Sequence, residues 1–174
     1  MRALVVYESM FGATRDVAAA VAEGLGTGMA VDLAEVADAP DAPRDVDLLV
    51  VGGPTHVHGM VGRRSRAAAE DQAADELVSS GPLLRDWIAE LPKARDRAAA
   101  AFDTRIGKAE WLVGSAGHGI GKRLRRHGYR VIGDHESFFV TGDDGALEDG
   151  QLHRAREWGA RLAETMRTGG APGA

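Results

Sequence analysis

The amino-acid sequence predicts an α/β protein in which a parallel sheet carries helices on both of its faces. Apolar segments of strand length alternate along the chain with amphipathic segments of helix length. Residues 48–51, Leu-Leu-Val-Val, form a continuous apolar run, which is typical of a strand buried on both faces. A short turn with glycine and hydroxyl side chains joins the first strand directly to the first helix. Because helices separate consecutive strands, each connection crosses over and the strands are expected to run parallel.

Local signals predict the individual elements in order. The first strand spans 3–7 and the first helix 14–25, where alanine and valine recur at helical spacing. Pro92 ends a later helix, and Ser115 begins another that Gly128 ends. The remaining strands are predicted at 29–36, 47–53, 98–102 and 129–140, and the remaining helices at 82–91, 115–127 and 151–166. Phe138, Phe139 and Trp158 are predicted to lie in the core between sheet and helix.

Length and composition exclude several classes of protein. The 174 residues fit one domain, expected at 1–167, followed by a Gly/Ala/Pro-rich tail at 168–174 that is predicted to be disordered. The absence of cysteine excludes disulfides, thiolate metal ligands and cysteine nucleophiles, and it fits a cytoplasmic protein. A net charge of −5 predicts no nucleic-acid partner. No apolar run approaches the ~20 residues that span a membrane.

The turn after the first strand is the strongest candidate for a binding site. A strand-to-helix turn aims unpaired backbone N–H groups and hydroxyls at one point, which suits a phosphate. The turn has no lysine, unlike triphosphate-binding loops, and only one glycine, unlike dinucleotide-binding loops. Without a clamping cation it suits a single terminal phosphate; alternatively, Ser9 or Thr14 simply caps the helix. The predicted phosphate-binding residues are Ser9, Met10, Phe11, Gly12, Ala13 and Thr14.

This turn resembles the phosphate loop of flavodoxins, which reads Ser/Thr-x-Thr-Gly-x-Thr. Ser9, Gly12 and Thr14 match that pattern, whereas Phe11 replaces the middle hydroxyl. The resemblance implies FMN as the cofactor and a flavodoxin-like three-layer sandwich. Its five-stranded parallel sheet has the order 2-1-3-4-5, with helices on both faces and a ligand crevice beyond the carboxyl ends of strands 1, 3 and 4.

The segment after the third strand is similar to the flavodoxin segment that lines the flavin ring. It reads Gly-Gly-Pro-Thr-His-Val-His-Gly-Met at 52–60, and its proline and threonine match the family. The histidines are alternatively two solvated loop residues. A His-x-His metal pair lacks an obvious third ligand nearby, so no metal site is predicted. The residues that the resemblance places at the flavin are Pro54, Thr55, His56, Val57, His58 and Gly59.

The segment after the fourth strand departs from the family pattern. Asp103, Thr104 and Arg105 complete the predicted cofactor site, but no aromatic residue follows until Trp111. Arg105 and Lys108 would bring positive charge to the pyrimidine edge of the flavin and stabilise its anionic reduced form. Alternatively, Arg105 is a surface residue that points away from the ring.

Residues 61–81 form a long insertion after the second of these segments. It begins with arginines and then becomes acidic. Three interpretations stay open, namely a lid over the ring, a homodimer contact and a solvated excursion.

The sequence therefore predicts an FMN-binding, flavodoxin-like protein that acts in electron transfer. Its expected partner is a redox protein or a small electron acceptor. One alternative is an oxidoreductase on the same fold that uses NAD(P)H or a quinone. Another is a binding module that has lost its flavin, which Phe11 and the missing ring-stacking tyrosine favour.

Overall fold

The computed structural model describes residues 1–56, 59–62, 67, 79, 81–142 and 145–169. Two predicted site residues, Val57 and His58, most of the insertion and the end of the tail lie outside this part of the chain. The described strands are β1 (Arg2–Tyr7), β2 (Ala30–Glu35), β3 (Leu48–His56), β4 (Gly59–Met60), β5 (Ala98–Ile106), β6 (Arg130–Val131) and β7 (Glu136–Val140), and the helices are α1 (Ala13–Leu25), α2 (Leu84–Glu90), α3 (Glu110–Val113), α4 (Ala116–Arg126) and α5 (Gln151–Thr168).

The sheet confirms the predicted fold class and strand order. Its strands lie side by side in the order β2-β1-β3-β5-β6, and all these neighbours are parallel. β7 also pairs in parallel with β5, while the short β4 pairs antiparallel with β3. The predicted fifth strand is thus two strands, β6 and β7, which pair with successive parts of β5. Gly133 lies between them with a φ of +62°, a left-handed conformation that interrupts an extended chain.

Two apolar layers hold the helices to the sheet. On one face α1 and α5 cover a cluster in which the rings of Phe102, Phe138 and Trp158 meet edge to face, about 6 Å apart. The other face packs against α2 and α4. The prediction of a core position is confirmed for Phe138 and Trp158 but wrong for Phe139, which is half-buried beneath the guanidinium of Arg105. Adjacent strand residues point to opposite faces, so only one of the two phenylalanines enters this core.

Two strands are longer than the sequence indicates. β3 continues to His56 because its pairing with β5 extends to Pro54↔Thr104 and its pairing with β4 extends to His56↔Gly59. β5 continues to Ile106 because β7 pairs with it as far as Val140. The predicted second and third site segments therefore begin on strand ends rather than in loops.

The last helix also runs beyond its predicted end. It reaches Thr168, the first residue of the predicted tail, and Gly169 ends it with a φ of +64°. Within the described residues, no helix combines the length and the apolar character that crossing a membrane requires.

Candidate functional site

A cleft of about 350 Å³ opens beyond the carboxyl ends of β1, β3 and β5. This is where doubly wound sheets bind ligands, and the volume lies in the range of about 300–1,000 Å³ that is usual for small-molecule sites. The cleft is lined by Ser9, Met10, Phe11, Ala13 and Thr14 after β1, by Pro54, Thr55 and His56 on β3, by Thr104, Arg105 and Ile106 on β5, and by Val140, Thr141, Gly142 and Gly145 at and after β7.

The loop after β1 presents the uncapped N-terminus of α1 to this cleft. Gly12 is the N-cap residue, with a φ of +99°, and no side chain caps the helix there. The first intrahelical bond runs from the amide of Asp16 to the carbonyl of Gly12, at 3.0 Å. The amides of the preceding helical residues therefore have no intrahelical acceptor, and the helix dipole adds positive potential at the same place. An anion is the natural ligand of such a terminus.

Neither predicted hydroxyl caps the helix. The Ser9 hydroxyl accepts a hydrogen bond from the Gly12 amide at 3.2 Å, which closes the loop. The hydroxyls of Thr14 and Thr104 lie 2.8 Å apart, and both residues are buried. Since one hydroxyl of that pair must donate to the other, the second keeps its proton for a different acceptor. The structure thereby joins two residues that the sequence assigned to different segments.

An arginine also flanks the loop, although the predicted turn contains no cation. The guanidinium of Arg15 is half-exposed and lies 3.0 Å from a carboxylate oxygen of Asp16. A Cβ added to Gly12 would lie 3.4 Å from that guanidinium. Arg15 does not line the cleft, and the adjacent Asp16 carboxylate offsets its charge.

The ends of the insertion fasten the same loop. The backbone amide of Ser9 donates to the Ser79 hydroxyl at 2.9 Å, and the Ser79 amide donates to the Ser9 carbonyl at 2.9 Å. Met10 packs against Val61 and Leu83 in a small buried cluster. The sequence carries no signal for these contacts, because they join residues far apart in the chain. They make the shape of the loop depend on the segment that follows β3.

Asp103 lies behind the cleft and supports its wall. The fully buried carboxylate accepts hydrogen bonds through Oδ2 from the Ser115 hydroxyl (2.6 Å), the Gly117 amide (2.9 Å) and the Thr55 hydroxyl (3.1 Å). Thr55 in turn accepts from the Ala116 amide at 2.9 Å. Asp103 therefore ties the N-terminus of α4 to the sheet, and its negative charge complements that helix dipole.

Arg105 lines the cleft but is held by protein groups. Its Nε donates to the Ser137 hydroxyl at 3.0 Å, and one terminal nitrogen donates to the Lys108 carbonyl at 2.5 Å. The guanidinium lies 5.2 Å from the ring centre of Phe139 and 4.0 Å from the carboxylate of Asp103. With a side chain only 11% exposed, Arg105 is not the surface residue of the alternative interpretation. Lys108 is exposed and does not line the cleft.

His56 forms part of the wall at the end of β3. Burial lowers the pKa of its imidazole below the ordinary value of 6.5. The ring is therefore neutral at neutral pH and offers one donor and one acceptor nitrogen. Gly59 pairs with His56 across the β3–β4 ladder and does not line the cleft.

The sequence did not lead us to predict the wall of the cleft that residues at and after β7 form. Val140, Thr141, Gly142 and Gly145 lie at or after the carboxyl end of β7, and Ile106 ends β5 beside Val140. The signal was available, because every parallel strand ends at the same edge of the sheet. Ile106 and Phe11 also leave 40% and 56% of their surfaces exposed, which gives the cleft an apolar rim.

The fold and the cleft together define a doubly wound α/β protein with a phosphate-type loop after its first strand. The sequence profile of the flavodoxin family matches residues 5–158, and the chain belongs to this family. A search among curated proteins found no match.

Solved structures share the fold at low sequence identity. A flavodoxin from the domain Archaea is 19% identical with a TM-score of 0.68, over 96% of this chain and 99% of that one. Oxidised Flavodoxin 1 from Bacillus cereus is 15% identical with a TM-score of 0.65, over 94% and 98%. A flavodoxin, WrbA-like protein from Agrobacterium tumefaciens is 20% identical with a TM-score of 0.60, over 96% and 98%.

Proposed function

We propose that the cleft binds FMN and that the protein transfers electrons through this cofactor. The observation that carries the proposal is the uncapped N-terminus of α1, which opens into a cleft at the switch point of the sheet. Family membership supports a flavin as the ligand. The absence of lysine and of further glycines in the loop favours one terminal phosphate, and hence FMN over FAD.

Each wall of the cleft has chemistry that fits one part of FMN. The amides at the start of α1 and the Ser9 hydroxyl suit the phosphate. The Thr14–Thr104 pair suits the same phosphate, because one of its protons is available to a phosphate oxygen. The wall formed by the half-buried Pro54 and His56 together with the exposed Ile106 suits the flat ring.

The flavin supplies the redox chemistry when it is bound, and the protein sets its surroundings. Arg105 places a fixed positive charge in the cleft wall, which favours the anionic reduced cofactor. Asp103 lies 4.0 Å from that charge and offsets part of its effect. The neutral imidazole of His56 adds hydrogen-bonding groups without adding charge.

The apolar rim indicates where an electron partner would approach. Phe11 and Ile106 are exposed beside the cleft, so a partner that covers them would bury apolar surface next to the ring. A redox protein and a small flat acceptor such as a quinone both satisfy this description. The second candidate function, an oxidoreductase that acts directly on NAD(P)H and a quinone, rests on the same rim.

Two measurements test the proposal. The apoprotein is titrated with FMN and with FAD while flavin fluorescence is recorded, and FMN is expected to bind more tightly. The FMN-loaded protein is then mixed with NADH or NADPH, and the oxidised flavin absorbance is followed.

An electron carrier keeps its oxidised flavin spectrum until a reductase is added. Direct bleaching by NAD(P)H would support the oxidoreductase instead. If flavin fluorescence does not change in either titration, the proposal is overturned. The protein is then better interpreted as a binding module that has lost its flavin.

A further inference from the structure

The side chains of three residues of types that can bind metal ions lie close together outside the cleft. Glu110 begins α3, His118 lies in the first turn of α4, and His135 lies in the connection between β6 and β7. Oε2 of Glu110 is 3.3 Å from Nε2 of His135. One ligand atom from each of the three residues lies within 4.8 Å of the other two. None of the three lines the cleft.

Contacts with α4 help to place the two histidines beside each other. A Cβ on Gly117 would lie 3.0 Å from Cβ and Cδ2 of His135, so the glycine lets this imidazole lie close to α4. The two imidazoles meet edge to face, with their centres 6.0 Å apart. The backbone amide of His118 donates to the Ser115 hydroxyl, which Asp103 holds in turn. The backbone position of His118 therefore follows from the packing of α4 on the sheet.

We propose that Glu110, His118 and His135 bind a divalent transition metal of the Zn²⁺ type. Two imidazole nitrogens and one carboxylate oxygen form a ligand set that Zn²⁺ accepts, with a further position left for water or another ligand. Ca²⁺ and Mg²⁺ prefer oxygen ligands throughout and are disfavoured by two imidazoles.

The distances fit such an ion after a small movement. Ligand atoms bound tetrahedrally about 2.1 Å from zinc lie roughly 3.4 Å apart, which the Glu110–His135 pair already satisfies at 3.3 Å. His118 is exposed, so we expect its side chain to be able to rotate and bring a ring nitrogen closer to the other two ligand atoms.

A simple His–Glu ion pair elsewhere in the chain provides the comparison. His153 and Glu157 lie one turn apart on α5, with their atoms 3.4 Å apart and side chains 77% and 54% exposed. Among the residues that the structure describes, no third ligand joins this pair. Two ligands alone hold a metal weakly. Three ligands from three separate segments of the chain are typical of a metal site.

Trp111 offers an internal reporter of binding. It follows Glu110 directly and is 83% exposed, whereas Trp87 and Trp158 are each 7% exposed. Because Trp111 is the next residue after Glu110, Co²⁺ bound at the site, which quenches fluorescence, is expected to reduce the Trp111 emission. The variant Trp111→Phe removes the signal and identifies its source.

The experiment uses the full chain without an affinity tag, after treatment with a chelator. Zn²⁺ is titrated in competition with a coloured chelator, and one equivalent is expected to bind. His118→Ala and His135→Ala should each weaken Zn²⁺ binding by about tenfold or more, since even the loss of a residue behind a ligand costs about ten- to a hundredfold. His153→Ala should leave the affinity unchanged.

Thermal unfolding of each variant checks that it is folded, and His135→Gln repeats the test with a side chain of similar size. The proposal is overturned if the wild-type chain binds no zinc, or if His153→Ala weakens binding as much as His135→Ala. It is also overturned if His56→Ala abolishes zinc binding while His135→Ala retains it, because the ion then occupies the cleft.

Discussion

Gly12 illustrates how a single residue determines the phosphate site. Its φ of +99° turns the chain from β1 into α1 and exposes the helix amides. A Cβ at this position would meet nothing closer than 3.4 Å, so substitution acts through backbone strain rather than through a clash. For residues other than glycine, such a backbone conformation destabilises the folded protein by on the order of 1–3 kcal/mol.

We predict that Gly12→Val lowers the affinity for FMN by about tenfold or more, because the loop relaxes and its amides diverge. Fluorescence titration measures the effect. Gly150→Val is the matched control, since Gly150 is the N-cap of α5, has a φ of +78° and has open space around it. An equal loss of FMN affinity in the Gly150 variant would contradict a specific role for Gly12.

The His56 imidazole makes stability depend on pH. Its pKa in the folded protein is lower than the ordinary 6.5, so the unfolded chain takes up the proton first as the pH falls. This contribution to the free energy of unfolding is fully present above pH 6.5 and is lost as the pH falls through the folded pKa.

His56→Gln removes the titrating group, and we predict a smaller loss of stability on acidification than in the wild type. Urea unfolding at about pH 7.5 and about pH 5.5 measures the difference for both proteins. Equal losses in the two proteins would show that His56 titrates alike in both states.

At the scale of elements, the buried carboxylate of Asp103 connects β5 to α4. Three donors surround its Oδ2. An asparagine can place its oxygen there, but it removes the charge that strengthens these bonds and puts an NH2 group where Oδ1 lies, 4.0 Å from the Arg105 guanidinium. Hydrogen bonds to a buried charged group each contribute about 1.5–3 kcal/mol.

We predict that Asp103→Asn lowers the free energy of unfolding by about 2–3 kcal/mol. Asp32→Asn is the control, since Asp32 forms an exposed ion pair with Arg2 at 2.7 Å, and pairs of this kind contribute about 0–1 kcal/mol. Urea unfolding measures both variants. A loss that is no larger for Asp103→Asn than for Asp32→Asn would show that the carboxylate does not hold the helix.

The boundaries of α4 followed from local chemistry, and the ends of β3 and β5 did not. Ser115 caps α4 by accepting from the His118 amide, and Gly128 follows that helix with a φ of +83°, both as the sequence predicts. The ends of β3 and β5 depend instead on partner strands, which no local pattern records. This is why Thr104 was expected in a loop but lies in a ladder between Pro54 and Phe138.

At the scale of the whole molecule, alternation with helices predicted a parallel sheet, and the resemblance to flavodoxins supplied the order of its strands. The position of the cleft followed from that order. The contacts of Ser9 with Ser79, and the meeting of Glu110 with His118 and His135, were not predictable. They join segments that only the completed fold brings together, and each residue alone has an ordinary surface or loop interpretation.

The most direct test of the central claim, a phosphate site at the start of α1, compares FMN with riboflavin, which lacks the phosphate. Calorimetry gives both affinities for the wild-type chain and for Ser9→Ala, Thr14→Ala and Thr27→Ala. Thr27 is the control, because it lies beyond the other end of α1, where its hydroxyl donates to the Gly24 carbonyl.

We predict that Ser9→Ala and Thr14→Ala each weaken FMN by about five- to thirtyfold, the scale of one lost hydrogen bond, about 1–2 kcal/mol. Riboflavin binding should change little, and Thr27→Ala should affect neither ligand. If riboflavin affinity falls as far as FMN affinity in the Ser9 and Thr14 variants, the hydroxyls support the fold alone and the assignment of the phosphate site is wrong.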